Sequence, residues 1–265
     1  MANLTFTRDW TEFNPTAYLS EYYADLGNEN RALLQFFVEA YRNIAPNSRL
    51  LDFGGGPTIY PLIAAVNKVQ EIHVYDHLEA NLYEIQKWLC GEASAFDWRA
   101  FVSMTLDLEK GRPCSATEII QREAAIRTRV TRIGLCDAHR DPPIAGIRHK
   151  YDVIVTNFCA ESATDDWRQW YQFMRNITSL LKPGGKLVLS ALKEATCYSV
   201  GSKIFPAVNI SVGDLTYVLV NSGFEPESIV INSVPADRPT RHYQGLMFAR
   251  AVKSHHDDVG QNIYA

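Results

Sequence analysis

The sequence predicts an α/β fold: a seven-stranded, mostly parallel sheet with an antiparallel last strand, helices on both faces and an N-terminal helical cap. Three observations predict it. Apolar runs short enough for strands alternate with longer runs of helical period. The run Leu50-Leu51-Asp52-Phe53 passes into Gly54-Gly55-Gly56-Pro57-Thr58, an acid followed by a glycine turn. A second run, Glu71 to Asp76, ends in another acid about twenty residues beyond the last glycine, where nucleoside-binding sheets place a ribose-binding carboxylate.

The elements follow in order. Asn14 caps a helix with Pro15 at its first position. That helix carries Tyr18, Leu19, Tyr22 and Tyr23, with Tyr18 and Tyr22 on one face. Leu33, Phe37, Ala40 and Ile44 mark a second helix, from about Asn30 to Ile44, which Pro46 ends. Arg49 to Phe53 is the first core strand. Ile59, Leu62, Ile63 and Val66 share one face of the helix after the glycine turn. The second strand ends at Asp76. Leu78, Leu82, Ile85 and Leu89 mark another helix, with Asn81 near its start facing the turn.

Residues 93–128 depart from a minimal sheet and read as an insertion on one edge, with an extended segment at Phe101–Leu108 and a polar helix at Thr117–Thr128. Val130–Asp137 and Tyr151–Phe158 are the third and fourth strands, the latter apolar enough for burial on both faces. Trp167–Leu181 is a helix that Lys182-Pro183-Gly184-Gly185 stops before a fifth strand, Lys186–Leu192. A helix spans Gly213–Ser222. The strands Ser228–Val234 and Gly245–Val252 have no helix between them and pair antiparallel. The whole chain, 1–265, reads as one domain: an N-terminal helical unit at 1–46, the insertion, and a loose tail at 254–265.

Composition narrows the class. Apolar residues make up 46% of the chain, enough for a buried core. A net charge of -4 leaves no electrostatic footprint for nucleic acid. The five cysteines have no Cys-x-x-Cys spacing, so neither a disulfide framework nor a zinc site is expected, and no metal is called for. Met1–Trp10 lacks an apolar signal core, and no apolar run approaches a membrane span. The expectation is a soluble, cytoplasmic protein, a monomer by preference, that does not bind membranes.

Asp52, Gly54, Asp76, Asp137 and Asn157 end four strands and converge at the carboxyl edge of the sheet, where such folds bind ligands. The acid lies before the glycines, and Pro57 after them lacks an N–H. That pattern favours an S-adenosylmethionine site over a dinucleotide site, and speaks against a nicotinamide-dependent oxidoreductase.

These residues resemble the class I S-adenosylmethionine methyltransferases, with their Rossmann-like sheet. More narrowly they are similar to the nicotinamide, phenylethanolamine and thioether/indolethylamine N-methyltransferase family. The carrying motifs are Phe13-Asn14-Pro15 with Tyr18-Leu19 and Tyr22-Tyr23, Asp52-x-Gly54-x-Gly56-Pro57-Thr58-Ile59-Tyr60, Phe96-Asp97-Trp98, Cys136-Asp137, Leu180 to Gly185, and Ala191-Leu192-Lys193 leading to Tyr198. They run over nearly the whole chain. The resemblance implies a cap over the active site. It implies that Tyr18 and Tyr23 close over the methionine end of the cofactor, and that Gly54 and Gly56 let the backbone approach it. Thr58 and Tyr60 would hold its carboxylate. Asp76, supported by Asn81, would take the ribose hydroxyls, and Asp137 and Ala138 the adenine. Asn157 and Phe158 would line the path to the sulfonium, and Tyr198 would stack on the acceptor. Tyr18 and Tyr198 are the candidate catalytic residues. Tyr18, Phe158, Ser190, Tyr198 and His242 are the candidate acceptor contacts.

One position departs from the family. The nicotinamide enzyme has an acid before Ala-Leu-Lys that grips the substrate amide; here Ser190 stands there, and it cannot pair with a cation. One extra residue also precedes Tyr198. Glu161, Glu194, Asp237 and His242 are alternative polar groups for the pocket. The implied function is methyl transfer from S-adenosylmethionine to the nitrogen of a small amine or heterocycle, aromatic or indole-type and of secondary metabolism, leaving S-adenosylhomocysteine. The alternatives are O-, S- or C-methylation of a small metabolite, or a silent S-adenosylmethionine-binding protein.

Overall fold

The computed structural model describes residues 4–237 and 242–255. The predicted tail lies outside the described residues from 256 onward; Ser254 is anchored by its N–H to the Gly223 carbonyl. No helix among the described residues is long and apolar enough to cross a membrane.

A short strand β1 (Thr5–Phe6) and a 3₁₀ turn (Trp10–Glu12) lead into α1 (Pro15–Tyr23) and α2 (Gly27–Ala40). The core then runs β2 (Ser48–Phe53), α3 (Tyr60–Ala65), β3 (Val69–Asp76), α4 (Glu79–Cys90), α5 (Arg99–Lys110), α6 (Ala116–Arg129), β4 (Val130–Leu135) and β5 (Tyr151–Asn157). It continues through α7 (Trp167–Ser179), β6 (Leu181–Lys193), β7 (Cys197–Val200), β8 (Lys203–Pro206), α8 (Val212–Asn221), β9 (Val230–Pro235) and β10 (Gly245–Val252). The main sheet has the order β4-β3-β2-β5-β6-β10-β9. Its first five strands are parallel, and β10 is antiparallel to both β6 and β9. The chain reverses direction across the sheet between β2 and β5, so a crevice opens there at the carboxyl edge.

Side-chain alternation divides the core. Leu50 faces a layer with Phe37 of α2, Ile63 of α3, Phe101 of α5 and Ile126 of α6, whereas Leu51 faces Phe173 and Ile177 of α7 and Leu219 of α8. Local chemistry fixes the helix starts. The Asn14 side chain accepts from the Ala17 N–H at 3.0 Å, with Pro15 at the first helical position. Ser115 and Glu118 form a reciprocal capping box on α6.

Three expectations are corrected. Phe101–Leu108 is helical, not extended: Phe101, Val102, Thr105 and Leu106 form its buried stripe, and Gly111 in the left-handed region closes it. Within the 93–128 stretch, α5 packs on α2 and α3 and brings Trp98 and Phe101 into the core, while α6 lies against β3 and the edge strand β4. The second helix begins at Gly27 and ends at Ala40, short of Ile44. Strand β6 begins at Leu181, so Lys182-Pro183-Gly184-Gly185 lies within it; Leu181 pairs with Tyr151 and the register shifts before Lys186 pairs with Val153. A small second sheet, β1-β8-β7, went unread.

Candidate active site

The crevice is floored by the glycine turn after β2. Gly54 has φ +67° and Gly56 φ +64°, conformations that L side chains rarely adopt. A Cβ on Gly54 would stand 2.1 Å from Cys159 Sγ. Beneath the turn, a Cβ on Gly55 would lie 2.6 Å from the Asp52 carboxylate. Asp52 is fully buried, and neither of its carboxylate oxygens has a hydrogen-bond partner among the described residues. Burial, and then the nearby Asp76 charge, push its pKa well above the ordinary carboxylate value.

Asp76, at the end of β3, organises the next wall. One carboxylate oxygen accepts from the Gly56 N–H at 2.9 Å; the other accepts from the Leu78 N–H and Asn81 Nδ2, both at 2.9 Å. Burial raises its pKa, and these three donors oppose the rise. After β4, Asp137 accepts from the backbone N–H and ring Nδ1 of His139, and pairs with Arg140. Burial alone would raise the Asp137 pKa, but the bonds from His139 hold it below the usual value.

At the end of β5, Asn157 is 4% exposed, and neither atom of its amide has a hydrogen-bond partner among the described residues. Phe158 follows with φ +48°, its N–H donating to the Ser190 carbonyl at 2.8 Å. An aromatic side chain in the left-handed region is strained, and such strain gathers at functional sites.

The N-terminal segment and the small sheet close the crevice. Tyr18 Oη lies 3.1 Å from Tyr23 Oη, and the Tyr18 ring packs on Tyr22 at 5.0 Å and Phe13 at 5.1 Å. Tyr198 of β7 stacks on Phe205 and donates to the Ser162 carbonyl at 3.2 Å, which Trp10 Nε1 also reaches at 3.0 Å. Burial raises the Tyr18 and Tyr198 phenols well above their ordinary pKa. They stay protonated at neutral pH, so they position rather than act as bases.

Together these walls enclose a cavity of ≈ 200 Å³. It brings together Tyr18, Tyr23, Gly54, Gly56, Asp76, Asn81, Asp137, Ala138, Asn157, Phe158 and Tyr198. Four expected contacts lie elsewhere. Thr58 is buried, and its hydroxyl donates to the Gly55 carbonyl at 2.7 Å, clamping the turn from behind. Tyr60 is buried with its ring stacked on Tyr23 at 5.2 Å. Ser190 sits 1% exposed within β6, and His242 borders neighbouring cavities. Of the alternative polar groups, Glu161 is walled in behind the cavity: it accepts from the Leu192 N–H at 3.0 Å, and burial pushes its pKa up to about 7.

Sequence reading missed Trp10, Phe13, Glu29, His77, Cys159 and Tyr243, which also line the cavity. Cys159 and His77 closely follow strand ends already singled out, so the edge rule could have found them. No local signal joins Glu29 to Tyr243, which are far apart in the chain.

The chain matches the sequence model of the NNMT/PNMT/TEMT family over residues 3–254. It belongs to that family. It is 29% identical over 252 residues to human nicotinamide N-methyltransferase, covering 92% of this chain and 94% of the relative. It is 32% identical over 260 residues to phenylethanolamine N-methyltransferase of Macaca mulatta (92% and 90% covered) and 30% identical over 250 residues to indolethylamine N-methyltransferase of Mus musculus (91% and 93%). Among solved structures, a SAM-dependent methyltransferase from Methanosarcina mazei superposes with a TM-score of 0.55 at 13% identity, covering 80% of this chain and 95% of that one. The N-methyltransferase NodS from Bradyrhizobium japonicum, in complex with S-adenosylhomocysteine, gives 0.53 at 13%, covering 88% and 91%. This family member is therefore a methyltransferase, its methyl donor is S-adenosylmethionine, and its fold is that of the S-adenosylmethionine-dependent enzymes.

The cavity fits such a donor on its own features. The glycine turn leaves space that side chains would fill. Asn81 Oδ1 and both polar atoms of the Asn157 amide are buried without partners among the described residues, an arrangement that costs free energy until a ligand answers it.

Proposed function

We propose that this methyltransferase acts on the nitrogen of a small aromatic or indole-type amine or heterocycle. The observation that carries the reading is the division of the cavity. Asp76 ends β3 and Asp137 follows β4 on one side of the switch point, whereas Tyr198, Tyr243 and Leu246 come from the β6–β10 side. Three strand spacings separate β3 from β6, about 14 Å. That length accommodates a nucleoside beside a flat acceptor.

On this reading Asp76 holds the ribose hydroxyls through its remaining lone pairs, and Asn81 keeps its carboxylate oriented. Asp137 and Ala138 hold the adenine. Gly54, Gly56 and the Tyr18–Tyr23 pair surround the methionine end, and Asn157 sits on the path between donor and acceptor. Bound S-adenosylmethionine would supply a sulfonium-activated methyl carbon open to in-line attack by an acceptor lone pair, the new bond forming as the carbon–sulfur bond breaks and S-adenosylhomocysteine leaves. The residues of the chain align the two partners and exclude water. Tyr18, Phe158 and Tyr198 give the acceptor a flat aromatic enclosure.

A release assay for S-adenosylhomocysteine tests this, run on nicotinamide, phenylethanolamines, tryptamines, phenols and thiols. Turnover confined to one nitrogen class is the expected result. Turnover of phenols or thiols alone would move the acceptor atom to oxygen or sulfur. Tight cofactor binding with silence across the panel would overturn catalysis on these classes.

A further inference from the structure

We propose that Asn157 reads the positive charge of the methyl donor through its side-chain carbonyl, and that Ser190 is the positioning residue that turns its amide. The proposal rests on the placement of the donor given above.

Asn157 ends β5, one of the two strands that flank the switch point. Asp52 of β2 pairs with Val155, so Asn157, two residues further on, stands beside the glycine turn. On its other side it pairs with Ser190 of β6. It therefore lies between the turn that surrounds the methionine end and the strand that leads to the acceptor side. Its side chain is buried, lines the cavity, and has no hydrogen-bond partner on either amide atom among the described residues. An amide left in that state points to a ligand that completes it.

The two carboxylates at the β3–β4 side stand away from this point, Asp76 bonded to the glycine turn and Asp137 to His139. At the end of β5 the polar group is a neutral dipole. A carbonyl oxygen attracts a cation, and a methyl group on a sulfonium presents polarised C–H bonds to the same oxygen. An amide N–H aimed the same way would repel that charge. The orientation of the amide decides the sign, so the chain has to fix it.

Ser190 is placed to do so. Val153, Val155, Val188 and Leu192 belong to one core layer, which by alternation puts Asn157 and Ser190 on the same face of adjacent strands, about 4.8 Å apart. Ser190 is buried, and its hydroxyl has no partner among the described residues. On its β10 side stands Phe248, an apolar ring stacked on Phe36, so within the sheet its polar neighbour is the Asn157 amide. A serine oxygen that accepts from Asn157 Nδ2 turns Oδ1 the opposite way, toward the glycine turn and the donor.

The test is calorimetric titration of the full chain with S-adenosylmethionine and with S-adenosylhomocysteine, in the absence of acceptor. The two ligands differ by one methyl group and the charge it brings. Asn157→Leu keeps the branched shape and removes the dipole. It is expected to lower the ratio of S-adenosylmethionine to S-adenosylhomocysteine affinity by about five- to tenfold relative to wild type, with the S-adenosylhomocysteine affinity kept within about twofold. Ser190→Ala is expected to move the ratio the same way by about two- to threefold, without lowering Tm, because the hydroxyl it removes is unpaired. Should Asn157→Leu fail to fold, Asn157→Ala is measured in its place with the same expectation. An unchanged ratio in the folded Asn157 variant overturns the proposal, as does an equal loss for both ligands, which would make Asn157 part of the wall only. A shift in the Asn157 variant with none in Ser190→Ala overturns the role of Ser190. Failure of the wild type to bind either ligand overturns the placement of the donor and the proposal with it, whereas normal binding with an unmoved ratio overturns only the reading of charge.

Discussion

Asp76 serves the protein and the donor with one carboxylate. It braces the glycine turn through Gly56, begins α4 through Leu78 and Asn81, and keeps lone pairs for two hydroxyls. Asp76→Ala is expected to weaken S-adenosylhomocysteine binding by about 1.5–3 kcal/mol, read by calorimetry. Unchanged affinity would remove Asp76 from the site. Tyr18→Phe keeps the ring stack and loses only the bond to Tyr23, so the fold should survive while transfer slows. Because burial keeps the Tyr18 phenol protonated, its pH–rate profile should keep its shape; an altered profile would make Tyr18 a base. Glu161 gives a sign that can be checked. Its folded pKa, about 7, lies above the ordinary 4.5, so the folded state binds the extra proton first. Stability from this group is full below about pH 4.5 and is lost as pH rises through 7. The stability difference between wild type and Glu161→Gln should therefore move in favour of the glutamine variant as pH rises from about 4.5 to 7 and level off above that. A constant difference from pH 5 to 8 would refute the shift.

At the scale of elements, the sheet was legible because its strands stop at or near a polar residue: Asp76 and Asn157 end β3 and β5, Asp52 stands one residue before the end of β2, and Asp137 two residues beyond β4. Helix α5 was misread for a definite reason. Val102, Met104, Leu106 and Leu108 alternate like a strand, and only burial against α2 and α3 selects the helical stripe of Phe101, Val102, Thr105 and Leu106. Thr58 and Tyr60 share a motif with the glycine turn, yet sequence spacing carries no information about which side of the turn a side chain takes; both went behind it. Glu29 and Tyr243 were invisible as a pair because only the α2–β10 packing joins them. The misread stretch matters to the site. Trp98 packs its ring 5.5 Å from Tyr23 and 6.1 Å from Tyr60, so it backs the cap tyrosines. Trp98→Ala is expected to cost about 3–5 kcal/mol of stability, as large-to-small core changes do. The accompanying loss of cofactor affinity should exceed that of an equally destabilising change in the other core layer, such as Phe173→Ala. Equal affinities in the two variants would make Trp98 a core residue only.

For the whole molecule, the cavity lies where separate parts of the chain meet. Its walls come from the N-terminal segment, the glycine turn, the ends of β3 to β6 and the β9–β10 connection. Contacts distant in sequence hold the front wall in place: Arg8 pairs with Asp165 at 2.5 Å, Lys203 with Glu12 at 2.6 Å, and Trp10 bonds Ser162. The two ion pairs are solvent-exposed and contribute little each. The cap is therefore held mainly by its aromatic packing, and a ligand that fills the cavity adds to that packing and satisfies Asn157. Ligand binding to the folded state alone stabilises it by mass action, about 2.7 kcal/mol at a hundredfold excess over Kd. For a chain of this size each kcal/mol moves Tm by about 2–4 °C, so S-adenosylhomocysteine should raise Tm by roughly 5–11 °C. Asp76→Ala should lose most of that rise at the same ligand concentration. An undiminished thermal shift in that variant would mean that the Asp76 carboxylate braces the glycine turn through Gly56 without meeting the donor.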